Sequence, residues 1–312
     1  MKNKKDLGYV KEKIFCENIE NQNYETIFVN TTKQKETVYS YLKHIGLSEN
    51  YVKNLRKKLG YIVKNNYIAT TNEFVTNGDT LKIFNNPNTS SGIMNCIIPL
   101  DIVYEDEFML IVNKPQGLAT MPTKSHYFNN LAGAIVNYMN KKDKNFVCRI
   151  LTRLDKDTAG IVLVAKNAIA CHKLETTNLH KTYYALAYGN MTEPLIIDTN
   201  IKTNKDANGI NVRKRFVTTD GGKECKTMVQ PIKNYIGYFL AKINLISGRT
   251  HQIRVHLASI SHPILGDSLY NDFNSLDKMM LIAKEISFIS PFNNKELCFT
   301  VDYPQYFKPF IN

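Results

Sequence analysis

The densest group of chemically capable side chains is the run Arg153-Leu154-Asp155-Lys156-Asp157-Thr158-Ala159-Gly160. Two acids, two bases and a hydroxyl lie between Phe146-Val147-Cys148-Arg149-Ile150-Leu151 and Ile161-Val162-Leu163-Val164-Ala165, apolar runs of strand length. A charged loop between buried strands is expected. Gly160 suits a positive φ, and Asp157 and Thr158 can bond back to nearby N–H groups. A salt-bridged turn without chemistry would have the same composition. Two further stretches carry reactive groups. Lys181-Thr182-Tyr183-Tyr184-Ala185-Leu186-Ala187-Tyr188-Gly189 alternates as a strand, with Tyr183 and Tyr184 on opposite faces. Ser247-Gly248-Arg249-Thr250-His251-Gln252-Ile253-Arg254-Val255-His256-Leu257 reads as a strand end followed by a helix, with Thr250 the expected N-cap. Ile253, Leu257 and Ile260 would form its buried stripe, and His251 and Arg254, three apart, share a neighbouring face.

These stretches resemble the motifs of the RluA family of pseudouridine synthases. The family's central run, His-Arg-Leu-Asp-Lys-Asp-Thr-Ser-Gly, is met here with Thr152 in place of His and Ala159 in place of Ser. Lys181-Thr182-Tyr183-Tyr184-Ala185 fits Lys-x-Tyr-x-Ala, and Gly248 to His256 reproduces Gly-Arg-Thr-His-Gln-Ile-Arg-Val-His without a change; His262-Pro263-Ile264-Leu265-Gly266-Asp267 continues the match. Asn113-Lys114-Pro115-Gln116-Gly117 resembles the family's first motif, which is mainly architectural, and Met121 stands where relatives often carry His. The matches run from residue 102 to 270 in family order. The resemblance implies that Asp155 is the catalytic aspartate and that Tyr183 is the active-site tyrosine, able to stack on uracil and serve as a base. It makes Arg254 the ion-pair partner of Asp155, and gives Arg153, Arg249 and His251 contacts to RNA or to the loop. The expected reaction breaks the base–sugar bond of uridine, rotates the uracil and rejoins it through carbon five. The carboxylate would either attack the anomeric carbon or take a proton from the adjacent ribose carbon, and Arg254 beside it would favour its charged form. No redox step is involved, so neither cofactor nor metal is expected. A duplex hides the reacting atoms, so the uridine must be extruded or come from a loop.

The elements that must position these groups are readable more coarsely. Among 312 residues, 43% are hydrophobic, enough for one large domain or two ordinary ones. Residues 1–30 read as an N-terminal extension with one strand, Tyr24-Glu25-Thr26-Ile27-Phe28-Val29. Residues 31–86 show a helix from Thr37 to Gly46, a second helix capped by Ser48, then short strands around the turns Asn65-Asn66 and Asn77-Gly78-Asp79. The second helix carries Lys53, Arg56, Lys57 and Lys58 with no acid among residues 50 to 58. This unit resembles the small alpha-L, S-four-type RNA-binding domain, which makes those four basic residues candidate RNA contacts; a solvated helix face would have the same pattern. Residues 87–95 read as a linker. Residues 96–312 read as the catalytic domain, an α+β pseudouridine synthase fold with a largely antiparallel mixed sheet. Its expected elements are strands at Ile97-Ile98-Pro99-Leu100, 102–104, 109–112, 161–165, 182–188, 237–246 and 297–302, and a helix from Leu131 to Met139. Arg213-Lys214-Arg215-Phe216 with Gly221 to Lys226 reads as a basic hairpin suited to phosphates and a stacked base.

Net charge is +12 and the pI about 9.2, which favours a polyanionic partner. There is no apolar run of membrane-spanning length and no secretory signal, and six cysteines are scattered without a C-x-x-C pair. These features point to the cytoplasm, to RNA as partner (ribosomal ahead of transfer RNA), and to no membrane and no obligate protein partner, with a monomer as default. Two other readings share the sequence: a catalytically silent RNA-binding protein of the ribosome, and a glycosidic-bond hydrolase. The latter requires two opposed carboxylates, which Asp155 and Asp157, two apart on one loop, supply poorly.

Overall fold

The run Ala159–Ala165 is buried at every position, the pattern of a strand covered on both faces. In a computed structural model of the chain it is β10, an interior strand of a ten-stranded sheet, and the residues described are 24–29, 36–56, 60–65, 67–85, 93–123, 126–142, 146–205, 211–272 and 276–311. The smaller, N-terminal part contains β1 (Tyr24–Phe28), β2 (Glu36–Thr37), α1 (Val38–His44), α2 (Glu49–Arg56), β3 (Gly60–Lys64), β4 (Tyr67–Ala69), β5 (Phe74–Val75) and β6 (Thr80–Asn85). Its four-stranded sheet has the order β1-β6-β3-β4, so Tyr24–Phe28 belongs to this sheet; β2 and β5 pair separately. Thr37 caps α1 by accepting from the Ser40 amide, and Ser48 accepts from that of Tyr51 at the start of α2. Val38, Leu42, Val52 and Leu55 bury the helices' apolar sides against Ile62, Leu81 and Ile83. The tail at 1–23, Lys57, Lys58, Leu59 and residues 86–92, which hold most of the expected linker at 87–95, lie outside the described residues.

The larger part contains β7 (Asp101–Glu105), β8 (Met109–Lys114), α3 (Leu131–Met139), β9 (Arg149–Ile150), β10, α4 (Ala168–Glu175), β11 (His180–Tyr188), β12 (Leu195–Asp198), β13 (Asn200–Lys205), β14 (Asn211–Thr218), β15 (Lys226–Tyr235), β16 (Tyr238–Leu245), α5 (Gln252–Ser259), β17 (Leu281–Ile289), β18 (Glu296–Thr300) and a closing turn α6 (Lys308–Ile311). The sheet runs β12-β15-β16-β11-β17-β10-β8-β7, with β18 on β17 and β9 on β10. All its pairings are antiparallel except β10 with β17, which confirms the α+β, largely antiparallel architecture. One core takes in Ile161 and Leu163 of β10 with Ile253 and Leu257 of α5; the other takes in Val162 and Val164 with Leu131 and Ile135 of α3. The period-two alternation of β10 thus feeds two cores at once.

Several expectations are corrected. Ile97-Ile98-Pro99-Leu100 forms no strand, because Ile97 is 93% exposed and Pro99 has no amide to give a ladder; the sheet begins at Asp101. The strand expected before the Asp155 loop shrinks to Arg149–Ile150. Arg213 to Phe216 lies in β14, which pairs back onto β13 (Lys202↔Phe216, Thr203↔Arg215) rather than onward to Gly221–Lys226.

The loop after β9 is held by the segment after β8. Thr120 Oγ1 donates to Leu154 O (2.6 Å) and accepts from Leu154 N, and Thr158 N closes a turn onto Asp155 O. Gly117 N and Lys114 Nζ both reach Lys156 O, and Gln116 Nε2 reaches Asp157 O. Each carbonyl from Leu154 to Asp157 therefore has a donor. Lys114 is fully buried and also donates to Pro115 O and Leu118 O. Burial lowers its pKa from 10.5 to about 7, against the pull of the Asp157 and Asp155 charges. Gly160 closes the loop with φ +115°, and a Cβ there would run into the backbone of Ala283 on β17.

Two variants test this scaffold. Gly160→Ala is expected to lose about 2 kcal/mol or more, from positive-φ strain plus overlap with Ala283, read as a drop in thermal midpoint. Lys114→Met should lower the midpoint at neutral pH, since buried carbonyls lose their donor. Between about pH 7 and 10.5 the unfolded chain keeps the lysine proton that the folded chain has released, so this group makes stability rise with pH across that window. Thermal unfolding against pH should show a flatter rise in Lys114→Met; an unchanged midpoint and slope would count against this account.

Candidate active site

A cavity of about 60 Å³ opens beside the pinned loop, with Arg153, Leu154, Asp155 and Thr158 on one side. Tyr183 from β11, Arg249, His251 and Arg254 around the start of α5, and Leu281 from β17 also line it. Asp155 is half-buried, and its Oδ2 lies 3.4 Å from Arg254 Nη1 and 3.7 Å from His251 Nε2. The structure thus brings Asp155, Tyr183, Arg254, Arg153, Arg249 and His251 to one cavity.

Arg254 is 2% exposed and has a second, closer carboxylate, which sequence reasoning missed. Its Nε and Nη2 donate to Oδ2 and Oδ1 of Asp267, each at 2.7 Å, and Nη1 is the donor turned to Asp155. A buried guanidinium must be paired, and Asp267 does this with the bidentate geometry that binds arginine best. Asp267 Oδ1 also accepts from the amides of Leu269 and Tyr270. Burial raises the Asp267 pKa, but Arg254 and these amides outweigh it, and the carboxyl is held below its usual range. The signal was present in the sequence: Gly266-Asp267 ends the matched run His262–Asp267, and a carboxylate beside a glycine turn is a natural arginine partner.

Helix α5 begins at Gln252, not near Thr250. Thr250 makes no cap; His251 sits before the helix at φ +60°, in the left-handed region. Gln252 takes over the tether: its Oε1 accepts from the Arg249 amide and from Ser247 Oγ, and its Nε2 donates to Lys226 O and Thr227 Oγ1. Arg249 is exposed at the cavity mouth, with Nε 3.5 Å from Glu224 O, and Arg153 is exposed opposite. His256 turns the other way, fully buried, against Thr227 Oγ1 and Thr199. Thr152, where the family has His, is buried with its Oγ1 accepting from Leu163 N, so it ties the loop to β10.

Tyr183 is buried, and burial together with the Asp155 charge raises its phenol pKa well above the usual value. The phenol is therefore neutral around neutral pH. Asp157, two residues from Asp155, lines a separate cavity of about 290 Å³ with Gln116, Ser268 and Asp277. The two carboxylates of the loop therefore do not face one substrate across one site, which removes the geometric basis of the hydrolase reading.

On α2, Lys53 is exposed and 2.8 Å from Glu49, one turn earlier. Arg56 is the last residue of that helix, and its side chain, with Lys57 and Lys58, lies outside the described residues. Among the described residues, Cys96, Cys148, Cys171, Cys225 and Cys298 are free thiols, and no helix is long and apolar enough to cross a membrane.

Comparison with known proteins matches this arrangement. Residues 108–259 fit the family model described as RNA pseudouridylate synthase. The chain is 29% identical over 276 residues to the RNA pseudouridine synthase YjbO of Bacillus subtilis, covering 86% of this chain and 96% of that protein. It is 35% identical over 233 residues to an RNA pseudouridine synthase of Aquifex aeolicus (68% and 72%) and 32% identical over 230 residues to ribosomal large subunit pseudouridine synthase D of Zymomonas mobilis (67% and 70%). The fold is similar to human RNA pseudouridylate synthase domain containing 1, with TM-score 0.52 at 24% identity over 69% of this chain and 86% of that one. Human RNA pseudouridylate synthase domain containing 4 gives TM-score 0.53 at 22% identity over 66% and 90%. With the Asp155 loop, the Lys-x-Tyr-x-Ala strand and the arginine-bearing helix folded into one cavity, the chain belongs to the RluA family of RNA pseudouridine synthases, isomerases that turn uridine into pseudouridine within RNA.

Proposed function

We propose that this enzyme modifies ribosomal RNA ahead of transfer RNA, in the cytoplasm, with Asp155 as its catalytic carboxylate. The observation that carries the site assignment is Arg254, buried and locked on Asp267, with its remaining donor turned to a carboxylate at the edge of an open cavity. The relative from Zymomonas mobilis is named for the large ribosomal subunit, and a +12 chain suits a large folded RNA. Free thiols in the described residues fit a reducing compartment. A silent RNA-binding protein would have no use for an ionised carboxylate held beside a buried tyrosine. The N-terminal unit, residues 31–86 with Tyr24–Phe28 added to its sheet, serves as an alpha-L RNA-binding domain, with Lys53, Arg56, Lys57 and Lys58 as its candidate phosphate contacts; residues 87–95 link it to the catalytic domain at 96–312.

In the reaction, Asp155 acts on the ribose either as nucleophile at the anomeric carbon or as base at the adjacent carbon, and both routes start from the carboxylate. Arg254 Nη1 and His251 orient it. Tyr183 stacks on the uracil and takes the proton from carbon five at the end. The Asp155 charge is one of two causes that keep Tyr183 neutral. To take the carbon-five proton the neutral phenol passes its own proton to the Asp155 carboxylate, which is free again once the new carbon–carbon bond has formed. Arg153 and Arg249, exposed at the mouth, hold phosphates.

Three outcomes test this reading. Asp155→Asn should abolish tritium release from carbon-five-labelled uridine in RNA while leaving fold and RNA affinity intact; substantial turnover would sink the assignment. In single-turnover kinetics, Arg254→Ala should lower the rate at saturating RNA by on the order of tenfold to a hundredfold, the worth of a charge-assisted partner. Arg249→Ala should instead raise the RNA concentration for half-maximal rate, and the reverse pattern would exchange the two roles. Replacing Lys53, Arg56, Lys57 and Lys58 by Gln should weaken RNA binding and flatten its salt dependence, with an unchanged slope favouring a solvated face.

A further inference from the structure

We propose that Tyr270 is a positioning residue that fixes the tautomer of His251, so that the imidazole presents its Nε2–H to the Asp155 carboxylate. This rests on the reading of Asp155 as the catalytic group. Tyr270 is 7% exposed, and its hydroxyl oxygen lies 2.6 Å from the Arg215 amide nitrogen on β14 and 3.0 Å from His251 Nδ1. The amide can only donate, so the phenol oxygen accepts there, and the phenol's single proton is left for His251. Nδ1 is then the bare nitrogen of the neutral ring, and the ring proton sits on Nε2, which faces Asp155 Oδ2 at 3.7 Å, about 0.7 Å beyond the best N–H···O distance. The opposite tautomer carries two costs. It would leave the Tyr270 proton without this acceptor in a buried setting, and it would turn a bare Nε2 lone pair toward a carboxylate.

The charged groups around His251 agree with a neutral ring. Burial is the largest influence and lowers its pKa; Arg254 from α5 and Arg215 from β14 act in the same direction, against Asp155 and Asp267. His251 also holds a left-handed backbone conformation that is strained for a non-glycine residue, and its side chain makes no helix cap in return. The strain aims the ring between Tyr270 and Asp155. Tyr270 is itself fixed. Its amide donates to Asp267 Oδ1, and its ring packs edge-on to His251 and lies 5.2 Å from the Arg254 guanidinium carbon. One turn, 267–270, therefore supplies the partner of Arg254 and the partner of His251, and through Arg215 it touches the basic hairpin of β13 and β14.

The experiment is nitrogen NMR of the full-length, RNA-free protein labelled at histidine, with the His251 signals identified by their loss in His251→Gln. The expected wild-type spectrum shows a neutral His251 protonated at Nε2 around neutral pH. Tyr270→Phe keeps the ring over Arg254 and removes only the hydroxyl. It should shift His251 away from that tautomer and lower the single-turnover rate at saturating RNA on the order of tenfold, the worth of one hydrogen bond, with little change in half-saturating RNA. A wild-type His251 protonated at Nδ1, or a Tyr270→Phe protein with an unaltered tautomer, overturns the proposal, and the wild-type spectrum does so without any variant having to fold. Turnover surviving in Asp155→Asn would instead overturn the reading beneath it, whatever the spectra show.

Discussion

A buried guanidinium shared unequally between two carboxylates is the constraint on which the rest of the site depends. Arg254 comes from helix α5, Asp267 from the turn that follows it, and Asp155 from a loop 99 residues away in sequence. Without Asp267 the charge would be costly to bury; with it, the fork is fully committed on one edge and a single donor remains for Asp155. Asp155 therefore has a cationic neighbour whose burial does not depend on it, because the arginine keeps Asp267 as its other partner. Arg254 lies in the first turn of α5, which starts at Gln252 behind His251 in the left-handed region.

The second constraint is the cradle beneath the Asp155 loop. A loop whose carbonyls are all bonded cannot drift, and the donors come from Gly117, Thr120, Gln116 and the buried amine of Lys114. The first motif thus earns its architectural label in hydrogen bonds: a lysine buried among carbonyls holds the loop from beneath as a donor to Lys156 O. Gly160 then threads the loop into β10 against β17, at the one parallel junction of the sheet.

Much of this was legible beforehand, for identifiable reasons. Asp155, Tyr183 and Arg254 sit in runs whose order of residue types is dense enough to recognise. The helices at Val38–His44 and Leu131–Met139 announce themselves through caps at Thr37 and Asn130 and through their apolar spacing. What escaped was set by partners distant in sequence. Strand β17 reads as an unremarkable apolar run until β10 and β11 flank it, and α4 is a short helix of weak amphipathicity behind an Asn cap. Thr250 looked like a cap by residue type, but Gln252 satisfied the same backbone by a route no local pattern encodes. Asp267, although it ends a matched run, and Tyr270 were not picked out as site residues, because their partners Arg254 and His251 are met only in the fold. Ile97 misled for the converse reason, as an apolar side chain next to a proline that the sheet never recruits.

The parallel junction between β10 and β17 has a consequence for how the enzyme comes into being. Gln116, in the cradle, bonds to Met279 across 163 residues, and Gly160 meets Ala283 only when nearly the whole chain is present. Contacts of such separation are entropically slow to close and form after local hairpins. During synthesis, β8, β10 and β11 can all emerge and pair in part while the cavity still lacks Arg254, His251 and its β17 wall. A chain made only as far as β11 therefore has the Asp155 loop and Tyr183 in place, and the cavity closes around them when α5 and β17 are added.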